Sequence, residues 1–545
     1  MPVSPTYPGV YLTEVTSPVH TITGVPTSIA AFVGPAAQGP VNVATQINSW
    51  TEFERTYGGL APDSEMTYGV YQFFLNGGAT AQVIRVTGTP VAPQGGTAPP
   101  NAAKAVYLIR TTTDSPPKTL SLTATSEGTW ANNYTVHITA TPTLGLPAAT
   151  GTGGATPATD SDLKTYNLSI MDSKKNVLES YTGISTVAGS TQGLAAQLRA
   201  SALLTVSGDA DPTVPPTAGD FAATTQGVDS PPVTVGDLNP THNAELQAAL
   251  DNIDIFNMLC VPDAADFTWT GDVATPPAQA TPSEGYTSLL QVLAKYCRDR
   301  RALLLIDPPK GWPVPSKTIE QQLLLHNLDI GANAAFYYPR MSVVDPANNS
   351  VRSLGTSGTI AGVYATTDAS RGVWKAPAGT AASLTGVVDL ADNMNDARNG
   401  QFNPLGVNCL RNFPIYGPVS WGARTTNGAD QDADQWKYVP VRRTALFIEE
   451  SLVRGTKWVV FEPNDEPLWA SIRLNVGVFM NGLYRQGAFQ GSTPQAAYLV
   501  KCDAENNPQS QIDLGIVNIL VGFAPLKPAE FVIINIQQLT GNLAG

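Results

Sequence analysis

At 545 residues the chain is too long for one ordinary hydrophobic core, and roughly two to four domains are expected. Hydrophobic residues at 42% and charged residues at 14% describe a folded chain whose lightly charged surface suits packing against copies of itself. A net charge of -13, with no Lys or Arg before Arg55, argues against a nucleic-acid partner, since phosphate neutralisation needs concentrated basic surface.

No apolar run approaches the ~18 residues of a membrane helix, so direct membrane insertion is not expected. No basic, apolar leader opens the chain, and synthesis and first residence in a cytoplasm are the expectation. Cys260, Cys297, Cys409 and Cys502 are widely spaced in or beside apolar runs and have no metal-ligand spacing; they read as small buried thiols.

In chain order, residues 1–22 carry four prolines, which prevent a helix and leave one strand-competent window, Val10, Tyr11, Leu12, Thr13, Glu14 and Val15. Residues 23–87 read as strand Thr27–Val33, a Ser-capped helix from Ser49, helix Thr67–Leu75 and strand Ala81–Val86. This segment is expected to form the N-terminal part of a C-terminal assembly domain. From 88 to 240 the composition shifts to Pro, Thr, Ala and Gly. Strand-like pieces there at Ala105–Thr111, Leu120–Ala124, Tyr134–Ala140, Leu163–Met171 and Val177–Tyr181 suggest an inserted β-sandwich, with loose loops at Thr141–Asp160 and Ser207–Asp237.

Residues 241–425 alternate helix and apolar strand: helix Asn243–Leu250, strand Ile255–Val261, helix Tyr286–Arg298, strand Ala302–Ile306, a helix near Ile319–Leu328, strand Ala334–Tyr338 and an amphipathic stretch Asp389–Arg398. Unalternated strands between helices predict a parallel sheet covered on both faces. Residues 426–526 read as α+β: helix Val441–Arg454 stopped at Gly455, a short buried strand Lys457–Phe461, a long helix after Asn464 or Asp465, and strands Tyr498–Cys502 and Ile516–Phe523. On the long helix Leu468, Ile472, Val476, Phe479 and Leu483 share one face, and Asn475, Asn481 and Arg485 lie largely off it. Residues 527–545 contain a last apolar strand, Phe531–Leu539.

The run RRTALFIEESLVRGTKWVVFEPNDEPLW, then YRQGAFQG, KCDAENNP and FAPLKPAEFVIINI, resembles the C-terminal domain of contractile tail sheath proteins of bacteriophages, R-type pyocins and phage-tail-like injection systems. YPGVYLTEV, FVGPAAQGPVN, SWTEFERTYGG, SEGTWANNYTV, CRDRRALLLIDPP and FNPLGVNCLRNFPIYGPVSWGART extend the resemblance over most of the chain except the loops near 90–235. The resemblance implies an α+β and α/β multidomain protein: a C-terminal α+β assembly domain, a subtilisin-like α/β middle domain, an outward β-sandwich insertion and exchanged terminal arms. It implies strand exchange between subunits through Val10–Val15 and through Phe531, Val532, Ile533, Ile534, Asn535 and Ile536.

The same resemblance implies a C-terminal-domain helix facing an inner tube and held by charge complementarity. Arg473 and Arg485 lie about 120° apart on an ideal helix, so one of them is expected there, and the face of Asn481 and Arg485 is preferred. The implied partners are the chain itself as a helical homopolymer, an inner tube protein, and baseplate and tail-terminator or cap proteins. Assembly in a bacterial cytoplasm, into a phage tail or tail-like particle, follows as an expectation.

A subtilisin-like topology raises the question of a Ser/His/Asp triad. Of His20, His137, His242 and His326, only the last two fall in the middle domain, and neither has the Gly-rich flanks of a nucleophile or oxyanion site. Asp307-Pro308-Pro309 reads as a strand terminator, and Walker, GxGxxG, HExxH and EF-hand patterns are absent from the sequence. No catalytic residue, cofactor or metal is therefore expected. Arg298-Arg300-Arg301 and Arg442-Arg443 read as ion-paired helix surface. The expected function is a contractile sheath subunit that drives a tube through a target envelope, with a non-contractile shell or surface-layer lattice and a subtilisin-like hydrolase as the alternatives.

Overall fold

Five consecutive buried residues, AAFVG at Ala30–Gly34 (β1), need apolar cover on two faces and a strand on each side, and this sets the architecture. In the computed structural model, which describes residues 20–90, 98–110, 119–140, 165–186, 190–207, 216–267, 285–310 and 330–534, β1 lies inside an eight-stranded sheet. Before the insertion come β2 (Thr45–Ile47), helices α1 (Trp50–Tyr57) and α2 (Glu65–Leu75), and β3 (Ala81–Arg85).

The insertion contributes β4 (Val106–Arg110), β5 (Thr119–Ala124), β6 (Thr135–Ala140), β7 (Thr165–Met171), β8 (Val177–Ser185), β9 (Leu204–Val206) and β10 (Gly219–Ala222). Its strands form a four-stranded sheet, β10-β6-β7-β8, and a three-stranded one, β4-β5-β9, both antiparallel. One apolar cluster joins them, with Tyr107, Ile109 and Leu122 from one sheet and Val136, Leu168 and Ile170 from the other. β10 falls within the stretch expected as loop at Ser207–Asp237; it adds to β6, where His137 meets Asp220 across the pair at 2.5 Å. The loop expected at Thr141–Asp160 lies outside the described residues.

After the insertion come α3 (Ala244–Asp251), β11 (Met258–Cys260), α4 (Tyr286–Asp299), β12 (Leu303–Ile306), β13 (Ala334–Tyr338), β14 (Met341–Val344), β15 (Val351–Leu354), α5 (Ser357–Arg371), β16 (Val387–Leu390), α6 (Asp396–Phe402), β17 (Asn408–Phe413) and β18 (Gly417–Ser420). The helix expected at Ile319–Leu328 lies outside the described residues. The main sheet runs β18-β17-β13-β12-β11-β1-β3-β2, parallel from β17 to β3, with the antiparallel β18 and β2 closing its edges.

Strand alternation divides the cover of this sheet. Phe32, Cys260, Leu305 and Tyr337 pack with Met66, Val70, Phe73, Ile360 and Tyr364 of α2 and α5. Val33, Leu259, Leu304 and Phe336 pack with Leu246 and Leu250 of α3 and Leu289 and Leu293 of α4. The expected doubly covered parallel sheet is what forms.

Residues 23–87 were expected to belong with the C-terminal module, and here the structure corrects the sequence: β1 and β3 are hydrogen-bonded into the α/β sheet. The segment leading into β1 touches the C-terminal module. His20 stacks on Trp458 with ring centroids 4.2 Å apart, Ile22 joins its apolar cluster, and the Val25 N–H donates to Ser451 Oγ at 3.2 Å.

The C-terminal module contains α7 (Val439–Gly455), α8 (Glu466–Arg485) and the antiparallel pair β19 (Tyr498–Lys501) and β20 (Leu520–Phe523). The strand expected at Lys457–Phe461 is absent: Lys457–Val459 make a single helical turn, Val460 and Phe461 are exposed, and Phe461 sits at φ +72°, incompatible with a ladder. The strand expected over Ile516–Phe523 shortens to β20, because the Asn518 backbone is taken by the Asn506 and Asn507 side chains.

Candidate assembly surfaces

Asp465 caps α8, its carboxylate accepting from the Leu468 N–H, and Pro467 fits the first turn, where no helical donor is needed. Leu468, Ile472, Val476, Phe479 and Leu483 are buried in the module, as their spacing requires. Asn475 was expected off this face. It is buried at 2% exposure and donates to the Ser471 carbonyl at 2.8 Å, while its Oδ1 has no partner among the described residues.

The outward face of α8 carries Ala470, Leu474, Val478, Asn481 and Arg485. Leu474 and Val478 are about half exposed, so this face is more apolar than the sequence reading anticipated. The three residues named for a tube contact separate. Arg473 pairs with Glu466 at 2.5 Å and donates to the Cys502 carbonyl, so its guanidinium is committed within the chain. Asn481 and Arg485 lie one turn apart at the end of α8, with Arg485 exposed.

Of the residues named for strand exchange, Val10–Val15, Asn535 and Ile536 lie outside the described residues. Phe531, Val532, Ile533 and Ile534 are 74, 80, 84 and 78% exposed and join no sheet. Four adjacent large apolar side chains in water are a liability for a lone subunit. Nearby in sequence, β19 and β20 pair only with each other among the described residues, with Leu499 and Leu520 about half exposed.

At the carboxyl ends of β11 and β12, where an open α/β sheet binds ligands, the space is occupied by helix starts. Asp263 accepts from the N–H groups of Glu65 and Met66 at 2.8 and 2.9 Å, and Asp307 accepts from the Ser357 N–H at 2.6 Å, so each carboxylate faces the first turn of a helix, α2 or α5. Glu65 pairs with buried Arg340 and, at 3.2 Å, with Lys310. Burial pushes the Asp263 carboxyl up to about 8 and that of Asp307 up to about 6. The described histidines lie on other elements: His20 on Trp458, His137 on Asp220, and His242 just before α3. What this cluster does is fix two helices to the strand ends.

Arg300 and Arg301 of the first basic cluster, and both arginines of the second, are consumed inside the chain. Arg300 donates to the Leu250 carbonyl at 3.0 Å, Arg301 meets Glu450 at 3.4 Å, Arg442 donates to Asn333, and Arg443 pairs with Asp368. The four cysteines are free and buried, and burial raises their thiol pKa values.

Residues 431–538 match the family model of the phage tail sheath C-terminal domain. They span α7, α8, the β19–β20 pair and the exposed segment after it. Over these residues the chain is similar to contractile tail sheath proteins. A tail sheath protein of Vibrio phage KVP40 is 26% identical over 228 residues, 42% of this chain and 33% of that protein. A putative prophage major tail sheath protein of Pseudomonas aeruginosa is 25% identical over 235 residues, 42% of this chain and 56% of that protein. The matched sheath segments thus span about a third and about half of those relatives' lengths. In fold, the chain is similar to the sheath complex of an extracellular contractile injection system, PVC, in its contracted state: TM-score 0.56 and 20% identity, covering 98% of both chains.

Proposed function

We propose that this chain is the structural subunit of a contractile sheath, polymerising helically with copies of itself around an inner tube and contracting to drive that tube through a target envelope. The observation that carries the proposal is the solvent-exposed, strand-competent Phe531–Ile534 in a chain whose own β19–β20 pair has no third strand among the described residues. A donated strand would extend such a pair by β-augmentation, with main-chain hydrogen bonds supplying the attachment. Repetition through heterologous interfaces builds an open helical lattice.

In this reading Val10–Val15 and Phe531–Ile536 are the exchanged arms, the α/β body is the subtilisin-like middle domain, and the β-sandwich faces outward. Asn481 and Arg485 face the tube. Arms that bend without detaching let subunits rotate and pack more densely. The energy of contraction comes from apolar surface newly buried between α/β bodies, the extended lattice being a kinetic trap. Baseplate and cap proteins bound the two ends of a particle assembled in the bacterial cytoplasm. The static shell is the second reading, and it has no use for a tube-facing helix.

Negative-stain electron microscopy of the chain, expressed alone and with its tube, tests this directly. Hollow ridged cylinders of uniform width are expected, and removal of residues 1–20 is expected to leave a folded subunit that cannot form them. Dispersed subunits at high concentration in the presence of tube, or normal cylinders from the truncated chain, would overturn it.

A further inference from the structure

The root of the C-terminal segment is fastened to the wrong part of its own chain for self-pairing. Ala524 still belongs to the C-terminal module: its N–H donates to the Ala497 carbonyl at 2.8 Å, and its carbonyl accepts from the Gln490 N–H at 2.9 Å. Residues 526–531 then cross to the α/β body and line a cleft of about 740 Å³ with Trp374, Lys375 and Trp421. There Glu530 meets Arg424 in a two-pronged pair, Nε to Oε1 at 2.8 Å and Nη2 to Oε2 at 2.6 Å.

Arg424 is a fixed post. Its side chain is 0% exposed, and Nη1 is held by the Asn403 carbonyl at 2.7 Å, the Gly428 carbonyl at 3.1 Å and Asp430 at 2.9 Å. The Tyr438 hydroxyl adds a 3.3 Å bond to Glu530. A planar, fully seated guanidinium accepts a carboxylate in one orientation, so the pair sets direction as well as position.

We infer that the Arg424–Glu530 pair is a clasp that directs the segment beginning at Phe531 away from its own β19–β20 pair and toward the same pair in a second copy. This rests on the strand-exchange reading above and names the device that enforces it. Folding back along β20 needs a tight turn within a few residues of Phe523. Pro525 and Pro528 have no N–H to give such a ladder, and the clasp anchors the chain at residue 530 on the body. The apolar run emerges only past that anchor, and its amides make no hydrogen bond among the described residues.

The test uses the full chain with its tube. Glu530→Gln keeps the shape and removes the charge, and Glu530→Asp keeps the charge but withdraws the carboxylate by one methylene. Polymer is measured by pelleting, and hydrogen exchange at residues 531–534 is followed in the unpolymerised fraction. Wild type is expected to pellet, with those amides exchanging at open-chain rates in the free subunit. Glu530→Gln is expected to lose polymer by about tenfold or more, as for a lost charge-assisted pair, and to gain protection at 531–534 as the segment folds back. Glu530→Asp falls between, and it decides the matter in the same terms should the Gln variant lose its cooperative thermal transition. Variants that pellet like wild type, or gain no protection at 531–534, overturn the clasp and leave strand exchange standing. A wild-type chain that never polymerises overturns the exchange and the clasp together.

Discussion

Arg443 on α7 grips both carboxylate oxygens of Asp368 on α5, at 2.9 and 2.7 Å, with only 4% of either side chain exposed. The same guanidinium donates to the Thr27 carbonyl at 2.8 Å and lies 4.7 Å from the centre of the Tyr364 ring. One side chain therefore joins the C-terminal module, the α/β body and the segment entering β1. The proposed passage of rotation from subunit to subunit needs these parts to move together. Breaking such a pair leaves a buried charge unpaired, so Arg443→Met or Asp368→Asn is expected to destabilise the subunit by about 3–5 kcal/mol. The double replacement Arg443→Met with Asp368→Leu should cost less than the sum of the single changes. Chemical denaturation of the unassembled subunit measures both.

The contact between α2 and α5 depends on glycine. A Cβ added at Gly358 would lie 2.2 Å from the Gly69 carbonyl oxygen and 2.6 Å from its carbonyl carbon, both backbone atoms with no rotamer to yield. Gly358→Ala must push the helices apart, and about 1–3 kcal/mol of destabilisation, the usual range for overpacking, is expected as a lowered denaturation midpoint. Gly477, whose added Cβ would meet no atom within 4 Å, is the control: the same change there should be neutral or slightly stabilising.

Two carboxyls under the helix starts give stability an unusual pH dependence. Burial holds Asp263 up to about 8 and Asp307 up to about 6, both above the ordinary 3.8. A group whose folded pKa is raised contributes stability that is complete below its unfolded value and is lost as pH rises through the folded one. Between about pH 4 and 8 these two groups therefore favour the acid side. Glu65 and Asp266 add negative charge around Asp263; Glu65 does so around Asp307, where Arg340 opposes it. Asp254 and Asp430, held below the usual range by hydrogen bonds to Arg454 and Lys437, work in the other direction and matter only as pH falls below about 4. Thermal unfolding by calorimetry should show a lower Tm at pH 8.5 than at pH 5.5. Asp263→Asn removes the titrating group and should flatten that slope, although its NH2 forfeits one of the two backbone N–H bonds that the carboxylate oxygens accept, so the slope and not the absolute Tm is the readout.

Much of this architecture was legible in residue patterns. The doubly covered parallel sheet announced itself in unbroken apolar runs such as Leu303–Ile306, and the insertion strands as short pieces between turn-rich gaps, with clear period-two alternation in Thr165–Met171. Helix α5 did not, because its first nine residues are all buried and its glycines serve backbone contact, leaving no polar face to mark a helical period. β10 is four residues long and is held by pairing with β6, a contact no local pattern carries. Lys457–Phe461 looked like a buried strand from its apolar content. The helix before it and the Asp465 cap after it leave only a connecting turn. The candidate site divided likewise: helix spacing placed Asn481 with Arg485, but the capture of Arg473 by Glu466 and Cys502, and of Glu530 by Arg424, joins residues whose partners sequence does not mark.

The separation of Arg473 from Arg485 makes the proposed tube contact testable without confusing binding with folding. Arg485 is exposed at the end of α8, and a reversal there meets solvent in the free subunit. Arg473 is tied to Glu466 and to the Cys502 carbonyl beside β19, so its loss acts inside the module. Arg485→Glu is expected to leave the denaturation midpoint within about 0.5 kcal/mol of wild type, as exposed changes do, while sharply reducing extended sheath formed on tubes. Arg473→Ala should lower stability and leave the salt dependence of tube binding unchanged, because the charge it removes was already neutralised. Co-sedimentation with tubes across a salt series distinguishes them: a contact through Arg485 weakens with ionic strength, and Arg485→Glu removes that dependence. Retention of both tube binding and its salt dependence in Arg485→Glu would move the tube contact off this face and onto another part of the module.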